Sequence, residues 1–359
     1  MAASSTPNNF MTTDSIKEAL KQVPYPGFSR DIVSFGLVKD IQIENGIVTV
    51  QISVQTADAK VPEQIFKACH AVLDPLPEVQ HTKIEIDVQD PPAQAGAGGQ
   101  MGKNNIPGVK KVIAVASGKG GVGKSTVSAN LAVSLAKQGY KVGLCDCDLY
   151  GPSVAHMFGS DEKPMATEEN EIMPIKAHGI KLMSMGFLLE EDSPVIVRGP
   201  LATQYTQQFL KNVRWGNLDY LILDLPPGTG DIQLTIVQTI SLTGAVIVTT
   251  PQEVALIDAR KAVAMFSKVN VPLLGLIENM AWFECDLGTR YHIFGEGGGQ
   301  REAERLKIPM LGQIPLNINT REQADGGTPV ALLNPAKDPA SAAFSDLAAA
   351  VTRVAPLDD

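Results

Sequence analysis

Residues 111–131, KVIAVASGKGGVGKSTVSANL, constrain this chain more than any other stretch. Five mostly apolar residues, 112–116, read as a buried strand, and a loop with four glycines follows. The spacing then predicts a helix over about 124–138. Gly118-x-x-x-x-Gly123-Lys124-Ser125 satisfies the phosphate-loop pattern G-x-x-x-x-G-K-[ST]. Glycines at 118, 120, 121 and 123 let backbone N–H groups converge on phosphate oxygens without Cβ clashes, and Val122 and Thr126 complete the cradle. The helix N-terminus adds its partial positive charge. Lys124 would reach the β- and γ-phosphates, and the Ser125 hydroxyl would ligate Mg²⁺. A second lysine, Lys119, directly follows the first glycine. The chemistry implied is binding of a nucleotide's phosphates with Mg²⁺.

Composition narrows the class. At 359 residues the chain suggests two domains, and 44% hydrophobic with 19% charged residues is ordinary for a globular protein. A net charge of −9 argues against a nucleic-acid partner. No apolar run approaches the roughly 20 residues that a membrane span needs, so no membrane is expected. The first residues, MAASSTPNNFMTTD, lack a basic or apolar signal region. Four cysteines are too few for a disulfide scaffold, and the expected location is cytoplasmic.

Residues 1–12 are polar and read as a disordered N-terminus. Residues 13–90 read as a small α+β module. Asp14 or Thr13 caps a short helix with Ile16, Ala19, Leu20 and Val23 on one face. Two alternating strands then join through Asn45-Gly46, a hairpin signal, and a helix over 61–73 leads to the alternating strand HTKIEIDVQ. Residues 91–108, rich in Pro, Gly and Ala, read as a flexible linker. From 109 to 359 strands and helices alternate, which predicts an α/β P-loop NTPase domain on a doubly wound, mostly parallel sheet.

Within that domain the strand over 141–145 ends in CDCDLYGPS, where Asp146 and Asp148 stand two apart and face one way. The apolar strand 220–223 delivers Asp224 to the Mg²⁺ shell, and the LPPGTGD loop behind it suits γ-phosphate sensing. Residues 155–195 form a less regular excursion, a helix begins near Leu201, and VPLLGLIENM reads as a strand ending at Asn279. Cys145 and Cys147 belong to an apolar strand, and two thiols make no closed metal site. Cys69 sits at an apolar helix position, and core packing explains all three.

GKGGVGKST as a unit resembles the deviant P-loop of the MinD/ParA/nitrogenase-iron-protein class. That resemblance implies a homodimer sandwiching two ATPs, with Lys119 reaching the partner's nucleotide. It also implies that Asp148 orients the attacking water, Asp146 supports the metal shell and Asn279 contacts the adenine. DLYGPS, KLMSMGF, DLPPGTGD and TTPQEVAL resemble the Mrp/ApbC family of iron–sulfur cluster carriers. The family implies ATP-driven transfer of clusters to apoprotein clients together with assembly machinery. Arg198, in the RGP segment, is either a dimer-interface or nucleotide-sensing residue or a plain surface arginine. DIVSFGLVKDI…GIVTVQISV resembles the N-terminal module of iron–sulfur assembly factors. The cysteine usual after its second strand is absent from TADAKVP, so docking or structure is the role implied.

Mrp-type carriers place Cys-x-x-Cys just after ENM, and two such pairs hold a 4Fe–4S cluster bridging the dimer. Here the segment is ENMAWFECDLGTRYHIFGEGGG: Cys285 takes the first position, and Asp286-Leu287-Gly288 follow without a second cysteine. Three outcomes stay open. Cys285 from each subunit could hold a cluster with Asp286 or His292 supplementing it, the cluster could sit elsewhere or only in a partner complex, or cluster binding has been lost. His292 by itself reads as structural. Two other readings stand beside the carrier: a MinD/ParA-like positioning ATPase, disfavoured by the acidic chain and its LDD end, and a regulatory or scaffold ATPase that has lost the cluster.

Overall fold

The computed structural model describes residues 12–26, 31–33, 36–44, 46–55, 60–76, 79–89, 104–148, 151–160, 162–165, 167, 171–188 and 209–357. These fall into two compact units, one within residues 1–100 and one from 101 onward.

The N-terminal unit begins with α1 (Thr13–Leu20), followed by β1 (Val38–Glu44), β2 (Ile47–Gln55), α2 (Lys60–Leu73) and β3 (His81–Gln89). Thr12, one residue before the expected cap, closes the helix start. Its hydroxyl accepts from Ser15 N while the Ser15 hydroxyl accepts from Thr12 N, a reciprocal cap. β1 pairs antiparallel with β2, and β2 parallel with β3 across the α2 crossover. Alternate residues of β2 (Val48, Val50, Ile52 and Val54) meet Ile16 and Leu20 of α1 and Ile65, Cys69 and Leu73 of α2 in one core. Burial pushes the Cys69 thiol up to about 12, leaving it an inert core residue. Of the segment 1–12 expected to be disordered, Thr12 is instead ordered as the helix cap, while residues 1–11 and the linker stretch 91–103 lie outside the described residues. The end of the expected linker is fixed rather than flexible: Asn104 pairs with Ile240, donating to Thr239 O, and Ile106 is buried.

The C-terminal unit is a three-layer α/β fold. In chain order it contains β4 (Val109–Ala116), α3 (Lys124–Lys137), β5 (Val142–Asp146), α4 (Val154–Met157), β6 (Ile175–Ala177), β7 (Ile180–Ser184) and β8 (Leu218–Asp224). There follow α5 (Asp231–Thr239), β9 (Gly244–Thr249), α6 (Glu253–Lys268), β10 (Leu273–Glu284), β11 (Arg290–Tyr291), α7 (Gly298–Leu306), β12 (Met310–Leu316), α8 (Ile318–Asp325) and α9 (Pro339–Val354). β12, β10, β9, β4, β8, β5 and β7 run parallel in that spatial order, with antiparallel β6 at the edge beside β7 and the short β11 antiparallel to the end of β10. β4 lies at the centre, so its loop opens where carboxyl ends of strands converge. The β6–β7 hairpin falls in the stretch expected to be irregular, because IKLMS is too short to stand out from its surroundings. The helix start expected near Leu201 lies outside the described residues.

α3 is buried along almost its whole length, from Val127 to Leu135, which explains why it lacks a polar face. It packs between the sheet and α9, whose Phe344, Leu347, Ala348 and Val351 share its core. Asp338 caps α9: Oδ1 accepts from Ser341 N at 2.7 Å and Oδ2 accepts from Asn319 Nδ2 at 2.8 Å. Asp338→Ala is therefore expected to lower the stability of this unit by about 1–2 kcal/mol. The check is a lower urea midpoint at unchanged slope.

Candidate nucleotide-binding site

The phosphate loop begins where β4 leaves the sheet and ends at the first turn of α3. Gly121 and Gly123 hold left-handed backbone, φ +81° and +80°, which an L-residue adopts only under strain. Gly118 is required for a different reason. A Cβ there would stand 2.0 Å from the Asp258 carbonyl oxygen of α6, so the helix backbone presses directly on the loop. Above the loop lies an open cleft of about 400 Å³. Lys119, Gly120, Gly121, Gly123, Lys124, Ser125, Thr126 and Asp148 all line it, and Val122 is buried beneath. His156 and Met157 of α4 and Ala324 and Asp325 of α8 form an opposite wall that the sequence reading missed. Nothing in their local sequence marks them, since only the fold carries them there.

Under the loop sits a buried ion pair. Lys124 Nζ lies 2.8 Å from Asp224 Oδ1, the two side chains 6% and 0% exposed, and 3.2 Å from Ser125 Oγ. Ser128 Oγ donates to the same Asp224 oxygen at 2.6 Å. Ser128 is one helical turn beyond Lys124, and a small polar residue on an otherwise apolar face was the signal for it. Asp224 Oδ2 is buried and has no hydrogen-bond partner. That oxygen and the Ser125 hydroxyl, two hard donors beside the loop, fit a divalent cation of the magnesium type.

Asp146 and Asp148 do not share a face. Asp146 Oδ1 accepts from Asp148 N at 3.0 Å, a side-chain turn that rotates the following residue away. Asp146 Oδ2 accepts from Ser184 Oγ at 2.9 Å and Val154 N at 3.3 Å. Burial, and then the neighbouring Asp224 carboxylate, push Asp146 up to about 7. It organises the loop into α4, while Asp148 reaches the cleft. Cys145 and Cys147 are fully buried with sulfurs 3.7 Å apart, and burial first, then Cys147, raises the Cys145 thiol far above its usual range. Arg198 lies outside the described residues.

Asn279, the residue expected at the base, also meets the phosphate loop. Its buried Nδ2 donates to Val122 O at 2.9 Å and stands 2.2 Å from where a Gly123 Cβ would be. One N–H of its amide thus supports the phosphate loop from below. β10 does not stop there but continues to Glu284, pairing Phe283 and Glu284 with Tyr291 and Arg290 of β11. Cys285 begins the turn of this hairpin and is half-buried, whereas Leu287 at its tip is 92% exposed. The backbone N–H groups of Leu287 and Thr289 hold the Cys285 thiol below its usual range. His292 closes back onto the Ala281 carbonyl at 3.2 Å. Among the described residues no three His, Cys, Asp or Glu side chains converge as a metal site, and no helix is long and apolar enough to cross a membrane.

Both units match families of known proteins. The family described as NUBPL iron-transfer P-loop NTPase matches residues 108–352, and one described as iron–sulfur cluster assembly protein matches residues 13–86. An iron–sulfur cluster carrier protein of Deinococcus radiodurans is 45% identical over 324 residues, 90% of each chain. A nucleotide-binding protein of Archaeoglobus fulgidus, solved in complex with ADP, is 44% identical with a TM-score of 0.55, covering 61% of this chain and 87% of that one. The cell-division ATPase MinD of Pyrococcus furiosus shares the fold at 22% identity and a TM-score of 0.53, covering 68% of this chain and 99% of its own.

Gly118→Ala tests the close approach of α6. With a carbonyl 2.0 Å from the added carbon, the loop must shift, and affinity for a fluorescent ATP analogue is expected to fall by about tenfold or more in equilibrium titration.

Proposed function

This chain belongs to the family of iron-transfer P-loop NTPases, and on that premise we propose that it is an ATP-hydrolysing iron–sulfur cluster carrier. It works as a cytosolic homodimer that delivers clusters to apoprotein clients. The buried Lys124–Asp224–Ser128 cluster beneath the glycine loop carries the nucleotide half of this reading. A buried lysine–carboxylate pair is weak evidence of stability, because desolvation offsets most of the attraction. It is well suited to a site where the lysine exchanges one anion for another.

On nucleotide binding the Lys124 ammonium turns from Asp224 to the β- and γ-phosphates, while loop N–H groups and the α3 N-terminus hold the remaining oxygens. Ser125 and Asp224 would hold Mg²⁺, which would neutralise phosphate charge. Asp148, on the cleft wall, orients the water that attacks the γ-phosphorus as the bond to ADP breaks. Asp146 sustains that position through the Asp148 N–H. Lys119, also on the cleft wall, reaches the nucleotide of the second copy and makes hydrolysis depend on dimerisation.

The cluster is cargo. One chain offers a single accessible thiol, Cys285, on an exposed hairpin with a lowered pKa, and two copies bring two such thiolates together. Non-cysteine ligands or a client's own thiols complete the set. The missing second cysteine favours one alternative, a regulatory ATPase of this fold without a cluster. Residues 13–90 serve as a docking module, since their cysteine is buried in the core.

Lys124→Ala is expected to reduce ATP turnover by at least about 10²-fold, measured as phosphate release. Undiminished release would overturn the site assignment. Anaerobic reconstitution with iron and sulfide is expected to give a visible chromophore in wild type and none in Cys285→Ala. Absence from both would favour the regulatory reading, and equal colour in both would move the ligand elsewhere.

A further inference from the structure

β10 touches both ends of this machinery within seven residues. At Asn279 its side chain grips the phosphate loop through Val122 O, and at Cys285 it runs out into the turn that bears the accessible thiol. Between them Met280 has φ +57°. Among the described residues it is the one non-glycine residue in left-handed backbone inside a strand, a conformation that surroundings must impose. The pairing with β12 breaks at the same place. It steps from Asn279 opposite Ile314 to Phe283 opposite Leu316, four residues on β10 against two on β12.

The peptide group between Val122 and Gly123 supplies the connection to nucleotide. It is trans and planar, so its C=O and N–H point in opposite directions. Asn279 holds the carbonyl from below, and Gly123 lines the cleft above. Left-handed glycines at 121 and 123 flank Val122, which makes this plane easy to turn. A phosphate oxygen that accepts from the Gly123 N–H therefore pulls on the same rigid plane that Asn279 holds. The Met280 methyl lies against this point too, 3.7 Å from where a Gly123 Cβ would stand.

A displacement at Asn279 is blocked on one side and meets strained backbone on the other. Upstream, Glu278 is fully buried and pinned: Oε1 accepts from Gln313 Nε2 at 2.7 Å, and Oε2 accepts from Gly299 N. Downstream lies the left-handed Met280, and beyond it His292 ties the hairpin's return arm to Ala281, so the turn moves as one piece.

We propose that Asn279 and Met280 form a mechanical link through which phosphate in the loop resets the conformation of the turn carrying Cys285. Asn279 is a positioning residue for the loop, and Met280 is the hinge. The link rests on the nucleotide-site reading above.

The test is the maleimide alkylation rate of Cys285 in the full-length protein, without nucleotide and with saturating Mg·ATP or Mg·ADP. Cys69, Cys145 and Cys147 are fully buried, and Cys285→Ser confirms which thiol is read. Binding of a fluorescent ATP analogue is titrated on the same samples to establish saturation. Wild type is expected to change its rate by about fivefold or more with nucleotide. In Met280→Gly the analogue still binds but the response is lost, and in Asn279→Ala it is lost even at saturation. Wild type that binds nucleotide with no change in rate overturns the link alone, as does a full response in Met280→Gly. Wild type that binds no nucleotide overturns the site reading and the link together. Should Asn279→Ala fail to bind or fold, Met280→Gly decides.

Discussion

The Lys124–Asp224 ion pair is the interaction on which the rest of this structure depends. Both groups are buried, so removing one partner without a replacement would leave the other's charge stranded at a cost of several kcal/mol. The pair ties the end of β8 to the first turn of α3, and Ser128 locks the same carboxylate from one turn further on. Strand, helix and loop are thereby held in the one arrangement that turns the α3 N-terminus toward the cleft. A site organised by a charge pair of this kind is already tuned to an anion, since the lysine needs only to change its partner.

Around that pair the packing works by close approach of backbones rather than by large side chains. Gly118 admits the α6 carbonyl, and Gly123 admits the amide of Asn279. The loop is thus supported from two directions by neighbours that a single methyl group would push away. Such contacts fix where the loop sits, while left-handed glycines on either side of Val122 let the peptide plane that Asn279 holds turn. The support from Asn279 comes from the strand that runs out into the turn of Cys285, so phosphate loop and thiol adjoin one continuous stretch of chain.

The hairpin at the end of β10 carries one thiol, Cys285. The Cys285 sulfur faces backbone N–H groups, an environment that favours thiolate and hence reactivity or metal ligation over inert packing. The other three cysteines lie in cores where the thiolate is penalised. The contrast concentrates accessible thiol chemistry at a single place on the chain.

Much of this was legible in the residues themselves. The glycine loop with its flanking strand and helix, the acidic end of β8 and the alternation of strands and helices all depend on short-range spacing, which sequence reports directly. The β2 alternation and the buried character of Cys69, Cys145 and Cys147 were readable for the same reason. What only the tertiary structure decided depends on which distant segments meet. Asp146 turned inward because its carboxylate found Ser184, 38 residues away, and Asn279 went to the loop because Val122, 157 residues back, offered a carbonyl beneath it. Residues 104–108 read as linker by composition, yet they are docked because the end of α5 offers backbone partners. Local chemistry set what each residue could do. Long-range contacts, whose partners no spacing rule encodes, chose which of those options each residue took.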